Sequence, residues 1–384
     1  FYPLLLFSAS GMMLMAHAVN LLIVFVSIEL LSIPLYILCG FARPRADSEE
    51  SAMKYFLLGA FASGFLVYGI ALIYGATGTT QLAAIAQKLS AGSIPDTLLL
   101  LAGTALILVG LGFKVAAVPF HMWTPDVYEG APTTVTAFMA TATKAAGFAA
   151  VLRVFLFGLG PILATWQPVI MVLSALTMLV GNIVALSQTN LKRMLAYSSI
   201  AHAGYVLIGV AAGNSLGTTG VLFYLASYAA TTLAAFAVMT VMGSETGEDQ
   251  TIVAYSGLIH RRPFLALVMA LAMFSLTGVP PTAGFAGKYF LFQAAIGSGL
   301  TWLAIIGILT SAISAYFYLR VVVTMFMREP AAQPASLSEA NPTRGIAVAL
   351  TAIATLAFGI LPTPLLSLVS QAVNALASTA HFPG

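Results

Sequence analysis

From Phe1 to Pro362 the chain is a near-unbroken series of apolar stretches parted by short polar, glycine- or proline-bearing breaks. Most are close to the roughly 20 residues a helix needs to cross a bilayer. No water-soluble core requires so many. Of the 384 residues, 60% are hydrophobic and only 7% charged, where a soluble domain carries roughly 25% charge. The fold class left is an all-α polytopic membrane protein. The single cysteine, Cys39, excludes a disulfide framework, a thiolate iron–sulfur site and a CxxC metal site. A net charge of +3 points to neither nucleic acid nor a polybasic membrane-surface role.

Hydropathy and the breaks predict about eleven spans, at 1–16, 19–42, 50–75, 95–125, 131–157, 165–187, 190–212, 218–243, 264–298, 300–328 and 345–362. A short amphipathic stretch, Gln81 to Leu89, and a second element at 363–380 are expected to lie at the interface. Alternating the sides places Arg43, Arg45, Lys192, Arg193, Arg261, Arg262, Arg328 and Arg344 together, against Lys88 alone on the other face. By the positive-inside rule the first side is cytoplasmic and the C-terminus lies outside. The chain opens at Phe1, without methionine or a basic leader, and so reads as a fragment lacking its N-terminus.

Two spans are too long for a plain rod. Residues 95–125 hold Gly110, Gly112 and Pro119, and residues 264–298 hold the run from Thr277 to Gly284 with Pro280 and Pro281. Either would be about 45 to 50 Å long if fully helical, against a hydrocarbon core of about 30 Å. Both are expected to be discontinuous, which is tolerated at membrane depth only against protein or a watery cavity. They are the fourth and ninth spans and therefore cross in opposite directions. That is the mark of an inverted five-helix repeat and of transport. The domains expected are 1–157, 165–328 and a C-terminal 345–384.

Some charge lies within the spans. Glu29 is mid-span, Lys144 is central, Lys114 lies near the middle of 95–125, and Lys288 follows the second break. Each such charge costs about 2.5 to 3.5 kcal/mol on the lenient insertion scale. Lysine, unlike arginine, releases its proton when desolvated, so three central lysines and no central arginine favour proton relay over fixed structural charge. Lys54 is only about four residues into its span, where its ammonium can also snorkel to the interface; Arg153 and Arg320, nearer helix ends, are read as snorkelling.

His202 is the one histidine clearly inside a span, compatible with helix packing or with relay. Pairing Lys114 with Lys288 gives a repeat offset of 174, which carries Glu29 to 203 and makes His202 its expected counterpart. His121 is compatible with an interfacial, structural or gating role. Bis-histidine haem needs two facing histidines at depth, and the run Gly284 to Lys288 lacks the spacing and hydroxyl of a phosphate loop.

The run 113–132, FKVAAVPFHMWTPDVYEGAP, followed by Lys144, resembles the signature of the antiporter-like membrane subunits of proton-pumping NADH:quinone oxidoreductase, respiratory complex I. The run 190–205, NLKRMLAYSSIAHAGY, is similar to one shared by that family and its Mrp antiporter relatives. The wording from Asp126 to Pro132, with Lys288 rather than glutamate in the second broken helix, resembles the N-type subunit.

The resemblance implies a fourteen-helix fold, of which the eleven spans are helices four to fourteen. It also implies a hydrated mid-membrane proton path formed by Glu29 paired with Lys54, then Lys114, Lys144 and Lys288, with His202 as a further candidate. It implies no metal or cofactor site in this chain, with NADH, FMN, iron–sulfur clusters and quinone held by partner subunits. The expected partners are other complex I membrane subunits, antiporter-like neighbours among them, and lipid, in the inner membrane of a bacterium. An Mrp-type cation/proton antiporter subunit and a structural scaffold remain the alternatives.

Overall fold

The computed structural model describes residues 1–243, 249–329 and 342–378. Residues 379–384, the end of the expected 345–384 domain and of the 363–380 element, lie outside the described residues. In chain order the α-helices are α1 Tyr2–Ala16, α2 Leu21–Cys39, α3 Ala46–Thr77, α4 Leu82–Ser90, α5 Thr97–Val115, α6 Trp123–Gly130, α7 Thr133–Phe138, α8 Lys144–Val151, α9 Leu163–Leu186, α10 Leu191–Ala212, α11 Ser215–Met242, α12 Leu258–Arg261, α13 Pro263–Thr277, α14 Ala283–Gly297, α15 Thr301–Met327, α16 Pro342–Ile360 and α17 Thr363–Ser378. Among the described residues nine helices are long and apolar enough to cross a membrane, with α1 and α13 as shorter apolar helices. A bilayer offers the backbone no partner, so helices that satisfy their own hydrogen bonds are the expected answer to these apolar runs. Side chains close several helix starts: Asn20, Asp96, Asn190 and Asn214 each accept from a backbone N–H of the first turn.

All eleven predicted segments are present, with one boundary corrected. The first broken span does not end at 125. α5 stops at Val115, Ala116 takes a left-handed conformation (φ 62°), and α6 carries the span on to Gly130. Pro125 falls in the first turn of α6, where a missing N–H costs nothing; the stop is Ala131–Pro132, because the residue before proline resists the helical conformation. The segment from Thr133 to Gly158 is a single span with two π-helical stretches, Met139–Thr143 and Leu152–Gly158, and Lys144 directly follows the first.

The second break runs from Gly278 (φ 93°) to Thr282. Only glycine adopts such a φ without strain. Across this break the two half-helices touch at Gly284, where a methyl group would fall 1.8 Å from the Ser275 carbonyl oxygen. The amphipathic α4 buries Leu82 and Ile85 against the second π stretch.

The two repeats share a register of 170 residues. Asn20 bridges Gln81 as Asn190 bridges Thr251. Leu21 N–H donates to Thr80 O, and Leu191 N–H to Gln250 O; Leu82 N–H donates to Val19 O, and Ile252 N–H to Thr189 O. A methyl group at Gly11 would lie 2.6 Å from Leu31 N, and one at Gly181 2.6 Å from Ala201 N. Arg153 reaches back to Ala16 O (2.6 Å) and Ala18 O (3.2 Å), and Arg320 to Leu186 O (3.1 Å) and Gln188 O (2.5 Å). Five crossings separate Asn20 from Asn190, so the second copy runs the opposite way. The arginines read as snorkelling are therefore clasps on backbone carbonyls.

The expected offset of 174 fails because Lys114 and Lys288 are not equivalent. Lys114 lies two residues before its left-handed break residue, whereas Lys288 lies ten residues after Gly278, in the second half-helix. In the observed register Glu29 corresponds to Ser199, Ser32 to His202, and Lys54 to Tyr224. α10 forms the centre, almost wholly buried among α6, α9, α11 and α14.

Candidate functional site

Three lysines end in the interior. Lys114 is 6% exposed and donates to Ser32 Oγ (2.8 Å) and Tyr55 Oη (3.0 Å). Lys144, 3% exposed, donates to Ser199 O (2.5 Å) and Oγ (2.6 Å), with its Nζ 5.8 Å from the centre of the Tyr228 ring. Lys288, 5% exposed, donates to Leu276 O (3.0 Å), Thr277 O (2.9 Å) and Ser311 Oγ (2.7 Å), and lies 4.8 Å from the Tyr205 ring. The two carbonyls holding Lys288 are freed by the end of α13, so the second break supplies its site. Among the described residues no carboxylate comes within 4.0 Å of any of the three. Neutral oxygens and aromatic faces solvate these ammonium groups, and proton loss leaves no stranded counter-ion.

The expected pair Glu29–Lys54 is not made. Ser63 Oγ donates to Glu29 Oε1, whereas Lys54 forms ion pairs with Glu50 and Asp126, both at 2.6 Å. Ser63 and Lys54 are nine residues apart on α3, about 13 Å along its axis, so one carboxylate cannot serve both. Ser63, the partner of Glu29, and Ser32, the partner of Lys114, line the same small cavity. The structure thus brings Glu29 toward Lys114.

Lys54 belongs to a cluster at one end of the bundle. Arg193 Nη1 contacts Asp126 (2.9 Å) and Glu129 (2.6 Å), Asn190 donates to Glu129 (3.0 Å), and Lys54 completes the set on Asp126. Lys192 is buried and bonds the Ala131 carbonyl. Two of the eight basic residues read as topology signals are therefore inter-repeat clasps. Trp123, opening the same half-helix, stacks on Tyr55 at 4.6 Å and donates to Phe113 O (3.0 Å).

His202 lies between the second and third lysines. Its ring is 5.0 Å from Tyr228, which faces Lys144, and 5.6 Å from Tyr205, which faces Lys288. Nδ1 is hydrogen-bonded to Tyr224 Oη, and Nε2 to Tyr318 Oη (3.1 Å). Beside Lys288 a cavity of about 600 Å³ opens between α14 and α15, walled by Thr277, Gly278, Ser311, Phe292 and Ile308. The sequence reading missed the tyrosine and serine partners, because they sit on other helices (α2, α3, α10, α11 and α15) than the lysines they meet (α5, α8 and α14), and no spacing along the chain signals such a contact. His121 is half-buried near the first break, its Nδ1 without a partner.

The family described as NADH:quinone oxidoreductase/Mrp antiporter, TM, matches residues 18–314. NADH-quinone oxidoreductase subunit N of Trichlorobacter lovleyi is 51% identical over 374 residues, covering 97% of this chain and 76% of that protein. The chain belongs to the subunit N family of NADH-quinone oxidoreductases. Subunit N of Mycobacterium tuberculosis is 45% identical, with 98% and 71% covered. A chain of respiratory complex I from Thermus thermophilus superposes with a TM-score of 0.83 at 42% identity, over 95% of this chain and 79% of that one. A chain of the Mrp complex from Dietzia superposes with a TM-score of 0.84 at 26% identity, over 97% and 77%.

Proposed function

We propose that the chain is a proton-translocating membrane subunit of NADH:quinone oxidoreductase, in which Glu29, Lys114, Lys144, His202 and Lys288 relay protons along the mid-membrane. The observation that carries this reading is the set of three buried lysines solvated by neutral oxygens and aromatic faces, with no carboxylate within 4.0 Å among the described residues. A change of charge on Glu29 alters the proton affinity of Lys114; Lys144 then accepts the proton and hands it through the His202 region to Lys288. Lys54 holds the inter-repeat cluster. The repeats are 1–157 and 165–328, with 345–384 following them, and the basic loops face the cytoplasm of a bacterium with the C-terminus outside. Other complex I membrane subunits, antiporter-like neighbours included, are the partners. They hold the NADH, FMN, iron–sulfur and quinone sites, and lipid surrounds the rest.

The test is Lys144→Ala in reconstituted complex, where protons pumped per NADH oxidised should fall. Unchanged stoichiometry across single Lys114, Lys144 and Lys288 variants would sink the relay. The likeness to the Mrp chain favours a second reading, cation/proton exchange; it requires ion-driven proton flux in vesicles given neither NADH nor quinone.

A further inference from the structure

A gap separates Lys144 from Lys288, and the groups that fill it are neither lysines nor carboxylates. Ser198 Oγ and Tyr318 Oη are 2.5 Å apart, Tyr318 Oη is 3.1 Å from His202 Nε2, and His202 Nδ1 is bonded to Tyr224 Oη. All four residues are at most 3% exposed. Ser198 adjoins Ser199, the partner of Lys144. At the other end the Tyr224 ring lies against Gly287, the neighbour of Lys288, where a methyl group would fall 2.7 Å from the ring. A neutral imidazole has one donor and one acceptor nitrogen, and each hydroxyl can play either part, so this file can point either way.

We propose that Tyr318 and Tyr224 are proton-carrying residues that link Lys144 to Lys288 through His202. The inference rests on the relay reading above. In the starting arrangement Ser198 Oγ–H points to Tyr318 Oη, Tyr318 Oη–H to His202 Nε2, and His202 Nδ1–H to Tyr224 Oη. A proton bound by Ser198 Oγ pushes the serine proton to Tyr318, the Tyr318 proton to Nε2 and the Nδ1 proton to Tyr224, which releases its own toward Lys288. One proton enters and one leaves, with each oxygen and the imidazole restored to neutrality. The tautomer has changed, from Nδ1–H to Nε2–H, and each hydroxyl now holds the proton it received from its neighbour, so the file points the other way. The next proton in the same direction waits until that tautomer is reset, so the file passes protons singly. The first repeat has no such device. At the positions equivalent to His202 and Tyr224 it carries Ser32, which touches Lys114 directly, and Lys54.

The experiment uses the whole complex in proteoliposomes, following proton uptake and NADH oxidation together. Tyr318→Phe and Tyr224→Phe keep the rings and remove the hydroxyls; each should cut proton flux at least fivefold in assembled complex. Trifluorotyrosine at 318 keeps the hydroxyl and its bonds but makes it a stronger acid. It should change the flux several-fold, where a merely structural tyrosine would leave it unmoved. This second variant decides the matter if Tyr318→Phe fails to assemble. Wild-type flux in both Phe variants, or with trifluorotyrosine, overturns the proposal while a collapsed Lys144→Ala leaves the relay standing. Wild-type flux in Lys144→Ala as well overturns the relay itself.

Discussion

Arg193 of the second repeat holds Asp126 of the first repeat's half-helix at 2.9 Å, and its other contact, Glu129, lies one turn further along the same half-helix. Both acids are about one-third exposed. Arg193→Ala therefore removes a partly solvated clasp costing about 1 kcal/mol rather than the several of a buried pair. Thermal denaturation of purified complex should show the loss at low salt and little of it near 1 M, where the Debye length is about 3 Å.

The same half-helix supports Lys114 at one remove, because Trp123 stacks on Tyr55 and Tyr55 Oη accepts from Lys114. Tyr55→Phe should leave assembly intact, since the stack survives, but withdraw a hydrogen bond worth about 1.5 to 3 kcal/mol to the charged lysine. Proton flux should fall roughly tenfold or more while NADH oxidation by an artificial acceptor is unchanged. Equal loss of both activities would assign Tyr55 to packing alone.

Placing Glu29 with Lys114 rather than Lys54 predicts a pattern of coupling. Lys114 lines the cavity that Glu29 reaches through its partner Ser63, so Glu29→Gln and Lys114→Met should be non-additive in flux, with an interaction above about 0.5 kcal/mol. Glu29→Gln and Lys54→Met should combine within that limit. The reverse result would restore the pair expected from the family resemblance.

Gly284 and Gly64 provide a matched contrast. Alanine at Gly284 would place its methyl 1.8 Å from the Ser275 carbonyl oxygen, forcing the half-helices apart at a cost of about 3 kcal/mol. Gly64, inside α3, has nothing within 4 Å of the added atom, and alanine there should gain up to about 1 kcal/mol of helix propensity. Yields of assembled complex should fall for the first substitution and hold for the second.

The spans were legible because hydropathy at this length has one physical solution in lipid. Depth was harder to read. Lys54 and Lys114 are both lysines in apolar helices, and only the 13 Å or so between Lys54 and Ser63 along α3 separates an ion-pair cluster at the end of the bundle from the relay. Lys114 and Lys288 look alike in the sequence and point to an offset of 174, yet they occupy opposite halves of their broken helices. Asn20 and Asn190, with their identical capping role, carried the true register. The hydroxyl partners were hidden for another reason. A serine or threonine on a membrane helix can bond its own turn as readily as a neighbour, and Thr104 and Thr177 do that here; a tyrosine hydroxyl cannot, but nothing in the sequence says which helix its ring meets.

Arg153 and Arg320, fastened to the carbonyls that end the first helix of each repeat, lie at opposite faces of the bundle because the repeats are inverted. Whichever way the chain is threaded during biogenesis, one of these guanidinium groups has to be carried across the bilayer. That passage opposes insertion by about 2.5 to 3.5 kcal/mol, and the carbonyls it meets on arrival help to hold it there. Removing the translocated arginine should ease threading and loosen the corner it fastens, so faster insertion and a less stable bundle would come from one substitution.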